Sequence, residues 1–138
     1  MSDPRQPIPR AFTLVELLVV LAILAVLAAI LVPNFIRSRA QGRVTACKSN
    51  LKNIGTALAM YSTDHSKLYP LALDRLTPNY LKSLPTCPNA GRNTYSEGFT
   101  SASQPSAYTV VCAGYNHKAQ GIGPNYPQYN SVSGLVEK

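Results

Sequence analysis

The sequence predicts an α+β chain in which one long N-terminal α-helix, membrane-spanning in its first half and amphipathic in its second, packs on a small antiparallel β-sheet. Three observations predict it. Residues 17–32 are sixteen apolar residues without a break. Ala40, Val44, Cys47, Leu51, Ile54, Leu58 and Tyr61 then follow at alternating spacings of four and three, the period of one helix face. Beyond residue 67 the chain is cut up by Pro and Gly, with short apolar groups between them.

The 138 residues are 46% hydrophobic and contain 11 Pro, 8 Gly, 3 Cys and no Trp, which leaves room for one small domain and excludes a large multidomain enzyme. Much of that hydrophobicity sits in the N-terminal block, so the remainder builds a modest core and gains from a crosslink or from neighbours. The net charge of +7 makes acidic partners conceivable.

Residues 1–11 are polar, carry Arg5 and Arg10, lack apolar periodicity and read as a leader on the aqueous side. Residues 12–35, if helical at ~1.5 Å per residue, reach ~36 Å, longer than the ~30 Å hydrocarbon layer of a bilayer. Being apolar on every face, this segment has lipid or similar helices for neighbours. Residues 36–66 form the amphipathic half. Arg37, Arg39, Arg43, Lys48, Lys52 and Asn53 fall largely off its apolar stripe. Pro33 removes one backbone hydrogen bond and predicts a kink, and Gly42 and Gly55 weaken the helix locally. In the globular region, residues 67–138, residues 71–76 make a short helical turn. Residues 106–114 are the clearest strand, 93–100 a shorter one, and 114–130 read as loop.

Glu16 is the one charged residue in the apolar block. A carboxylate at bilayer centre costs ~2.5 to 3.5 kcal/mol on insertion scales, and less near the interface. It snorkels in an ordinary signal anchor, or it has a partner. A cleaved secretory signal peptide is a further reading, with small residues for cleavage at 25–29.

The run FTLVELLVV of residues 12–20, preceded by a short basic leader and followed by Pro33 and Phe35, resembles the N-terminus of type IV pilins and type II secretion pseudopilins. The resemblance implies a pilin-like fold, cleavage by a prepilin peptidase between Ala11 and Phe12, methylation of the new Phe12 amine, and assembly into a filament. Ala11 stands where the family usually has Gly. The resemblance also gives Glu16 a role in assembly. The Phe12 amine of one subunit pairs with Glu16 of its neighbour, and subunits in the wrong axial register leave a charge unpaired. Arg37, Arg39 and Arg43 beyond the span outnumber Arg5 and Arg10 before it, so the positive-inside rule points the globular part toward the cytoplasm. The leader and the expected disulfide favour the opposite orientation, a single-pass inner-membrane protein with an extracytoplasmic C-terminal domain.

Residues 69–114 are similar in layout to the major pseudopilins, in which calcium commonly orders the C-terminal loop. After Gly114 the only acid is Glu137, too few hard ligands, so no calcium and no other cofactor is expected. Cys87 and Cys112 are the expected replacement: a disulfide closing a loop of about 26 residues is worth roughly 3 kcal/mol in the chain-entropy model. Cys47 lies on the apolar stripe as a core thiol, and Cys47 with Cys112 is the rival pairing. A zinc site of Cys87, Cys112 and His117 lacks a fourth evident ligand, so no metal site is assigned. No nucleophile with a base and no phosphate-cradling loop is present, so no catalytic residue is assigned. Scattered Tyr and net positive charge are weak grounds for nucleic acid binding.

The sequence therefore predicts a structural filament subunit, with a type II secretion pseudopilin first and a type IV pilus subunit for adhesion, twitching or DNA uptake second. A membrane-anchored binding domain that never polymerises is the third reading. Expected partners are other pilin-like subunits, the prepilin peptidase, the inner-membrane assembly platform with its ATPase, and lipid before assembly.

Overall fold

In the computed structural model, residues 12–103 and 106–137 are described. The expected leader, including Ala11, lies outside them. The chain divides into two compact units, Met1–Arg37 and Ser38–Lys138. A single helix, α1 (Leu14–Asp64), contributes to both and runs through Pro33.

In the second unit α1 buries Val44, Cys47, Leu51, Ile54 and Leu58, the stripe read from the spacing, together with Gly55 and Ala57. The helix stops where Ser66 and Lys67 take left-handed backbone (φ 54° and 65°) and the Lys67 amide turns back to the Ser62 carbonyl at 2.7 Å. The Tyr80 hydroxyl donates to Asp64 at 2.8 Å, tying the following loop to the helix end. A 3₁₀ turn, Leu73–Leu76, inserts both leucines into the core.

Four strands follow, β1 (Phe99–Ser103), β2 (Ser106–Val111), β3 (Gln128–Asn130) and β4 (Gly134–Val136), all antiparallel and adjacent in chain order. Along β2 the side chains alternate, so Tyr108 and Val110 face α1, and Cys112 follows in the same phase. Phe99 pairs with Val110, Val110 with Tyr129, and Tyr129 with Leu135. Gly55 makes room for the sheet: a Cβ there would lie 2.5 Å from Tyr129 Cε1.

Two elements differ from the sequence reading. The strand expected over 93–100 begins only at Phe99, because Asn93 Oδ1 accepts from the amides of Tyr95 (3.0 Å) and Ser96 (3.2 Å) and holds a turn. The region read as loop contains β3, with β4 just beyond. Each is three residues long, too short for alternation to register, and is defined by its pairing.

Candidate functional site

The first candidate is the N-terminal segment of α1. By length and composition the helix is able to cross a membrane, and its most apolar stretch is unburied. Phe12, Glu16 and Pro33 are all exposed. Thr13 precedes the helix, and Glu16 is its third residue. The Thr13 amide and hydroxyl both donate to Glu16 Oε2 (3.4 and 3.3 Å), and the Glu16 amide donates to Thr13 Oγ1 at 3.2 Å. This reciprocal pair is a capping box, which satisfies amides left open at a helix start. The carboxylate also complements the positive end of the helix dipole. Glu16 thus has a local partner in its own chain, besides the intersubunit amine expected from its charge.

The second candidate is buried in the Ser38–Lys138 unit. Cys47, on α1, meets Cys87, Cys112 and His117, and their candidate donor atoms all lie within 4.8 Å of one another. All four residues are completely buried. The thiols are free. Cys87 and Cys112 are neighbours, as expected, but their sulfurs stand 3.4 Å apart, beyond the ~2.05 Å of a disulfide. His117 Nε2 lies 3.8 Å from Cys87 Sγ and 3.7 Å from Cys112 Sγ. The structure therefore adds to the three residues considered from sequence a fourth, Cys47, delivered by the helix.

Local structure aims each sulfur. Cys87 opens the turn Cys87-Pro88-Asn89-Ala90-Gly91. Its carbonyl accepts from the Gly91 amide at 2.8 Å, Gly91 is left-handed at φ 68°, and the amides of Ala90 and Asn89 donate to the sulfur. Cys112 follows β2, and its sulfur contacts Thr94 Oγ1 and accepts from Asn116 Nδ2, both at 3.4 Å. Asn89 donates to the Asn116 carbonyl, joining the Cys87 turn to the loop that carries His117. Cys47 Sγ accepts from the Tyr95 hydroxyl at 3.3 Å. The Cys112 and Cys87 sulfurs, and then burial, push the Cys47 thiol far up. Cys112 and Cys47 in turn pull Cys87 well below the usual thiol range. The cluster so favours negative charge on Cys87, hydrogen-bonded by its neighbours.

Neither site has a nucleophile, base and oxyanion donors converging on an open cleft. Together they define an apolar helical segment and a small α+β unit with a buried thiol cluster. Residues 9–32 match the prokaryotic N-terminal methylation motif. The chain is 41% identical over 61 residues to the type IV major pilin protein PilA of Myxococcus xanthus, covering 44% of this chain and 28% of that protein. It is 44% identical over 54 residues to the type II secretion system core protein G of Pseudomonas aeruginosa, covering 39% and 38%. It is 34% identical over 90 residues to the core protein G of Dickeya chrysanthemi, covering 65% and 57%. Each match thus spans less than two thirds of the relative's own length. No solved structure matches. Motif and relatives agree in kind: the chain carries the N-terminal methylation motif and is similar to type IV pilins and to type II secretion core proteins G.

Proposed function

We propose that the chain is a subunit of a type IV filament and, within that class, a pseudopilin of a type II secretion system. Residues 12–35 hold the precursor in the inner membrane with the C-terminal domain outside the cytoplasm. After cleavage between Ala11 and Phe12 and methylation of the Phe12 amine, an assembly platform and its ATPase draw the subunit into a helical pseudopilus that pushes secreted proteins outward. The observation that carries this reading is the unburied apolar start of α1 with its one carboxylate, in the segment that matches the methylation motif. Such a surface finds company in lipid or in copies of itself. Matches of 90 to 93 residues to type II secretion core proteins G support secretion, and an equally long match to a competence protein supports the DNA-uptake pilus as the second reading.

Mass spectrometry of the mature protein tests the reading: an N-methylated Phe12 N-terminus is expected, and retention of residues 1–11 in cells with the peptidase overturns it. A deletion strain then separates the readings, since a pseudopilin loses secretion and a pilus subunit loses surface fibres. A non-polymerising anchor yields no multimers on crosslinking.

A further inference from the structure

We propose that Cys47, Cys87, Cys112 and His117 form a structural zinc site that ties α1 to the turn at residues 87–91 and to the loop after β2. Zinc takes thiolate at about 2.3 Å and imidazole at about 2.0 to 2.1 Å, in a tetrahedron. Those lengths place sulfur pairs ~3.8 Å apart and sulfur–nitrogen pairs ~3.6 Å apart. The cluster is already close to this, with sulfur to nitrogen at 3.7 and 3.8 Å and the Cys87–Cys112 sulfurs at 3.4 Å.

A disulfide accounts for less. Bridging Cys87 and Cys112 uses two of the four groups, leaving Cys47 with the Tyr95 hydroxyl and the fully buried His117 facing only sulfur. His117 is the sharper difficulty. Its Nε2 faces only sulfur, at distances too long for a good hydrogen bond, and its Nδ1 has no partner among the described residues. Buried imidazoles with both nitrogens idle are costly, and a metal at Nε2 supplies the missing bond.

The surroundings fit a metal–thiolate group. Three thiolates and a neutral imidazole around Zn²⁺ carry a net charge of −1, and the cysteines give up on binding whatever thiol protons they still hold. The amides of Asn89 and Ala90, the Asn116 side chain and the Tyr95 hydroxyl all donate to sulfur, spreading that charge. Three soft sulfurs and one imidazole in a closed tetrahedron suit zinc, while calcium and magnesium want oxygen. With all four positions filled by protein, the ion is structural and has no open place for a substrate.

The test uses the full chain, purified in detergent without chelators. Elemental analysis is expected to find one zinc per chain. Cobalt exchanged for zinc is expected to give the spectrum of a tetrahedral thiolate site, and alkylation after denaturation in chelator is expected to label all three cysteines. Cys47→Ser is expected to weaken zinc retention by more than the roughly 10- to 100-fold that loss of an outer-shell partner costs. His117→Cys is expected to retain zinc where His117→Ala loses it. Should the variants fail to fold, the metal content and cobalt spectrum of the unaltered protein still decide. A metal-free protein, with Cys87 and Cys112 bridged or with all thiols free, overturns the proposal, as does an equivalent of iron in place of zinc.

Discussion

Glu16 has two candidate roles, and the capping box separates them. Glutamine also serves at the third position of such a box. Glu16→Gln therefore keeps an oxygen for the Thr13 amide and removes only the charge. The local contribution is small: at 3.2 to 3.4 Å the three bonds are longer than the usual ~2.9 to 3.0 Å, placing the cap at the low end of the ~0.5 to 2 kcal/mol range. On the pairing reading the intersubunit contribution is large. Removing one partner of a buried ion pair costs about 3 to 5 kcal/mol, and every ~1.4 kcal/mol is a factor of ten. Glu16→Gln is therefore expected to insert into the membrane normally and to enter filaments roughly 100- to 4,000-fold less. Thr13→Ala, which loses the cap and keeps the charge, is expected to lose less than about tenfold. Quantitative immunoblots of membrane and filament fractions measure both. Glu16→Gln assembling at the normal level, with Thr13→Ala impaired, would refute the pairing and leave Glu16 a helix cap.

Two further outcomes follow from the globular unit. A Cβ on Gly98 would lie 2.7 Å from the Val111 carbonyl oxygen, a backbone atom held in β2. Gly98→Ala should destabilise by about 1 to 3 kcal/mol of overpacking, against at most ~1 kcal/mol gained from a stiffer unfolded chain. A fall of about 4 to 8 °C per kcal/mol is expected in thermal melts, and an unchanged midpoint would contradict the packing. Burial, followed by Tyr129 and Tyr69, raises the Tyr108 phenol above its ordinary value of 10.0. The unfolded chain then loses this proton first, so the contribution is complete below pH ~10 and is lost as pH rises toward the folded value. Tyr108→Phe should flatten the alkaline decline in denaturant melts, and an unaltered slope would count against the assignment.

The helix stripe was legible because period carries the information: Val44, Cys47, Leu51, Ile54 and Leu58 all proved buried. The same regularity concealed Cys47, since a core thiol and a thiol aimed at other sulfurs occupy the same position on a helical stripe. Its companions lie 40, 65 and 70 residues further on, and the fold alone brings them together. The turn after Cys87 was visible only as Pro and Gly punctuation, whereas its use is to direct two amides at a sulfur. Thr13-x-x-Glu16 is a signature readable from sequence, overshadowed by the carboxylate's cost in lipid. β3 and β4 lacked any local signal, because three-residue strands owe their form to the neighbouring strand.

The placement of the thiols on α1, after Pro85 and after β2 bears on how the chain must be made. Before folding, any two of three cysteines can be joined by an oxidant, and each of those three mistakes removes donors from the finished cluster. In an oxidising compartment maturation becomes a race between metal supply and oxidation. The yield of sound subunits would then track the metal available before the thiols are oxidised.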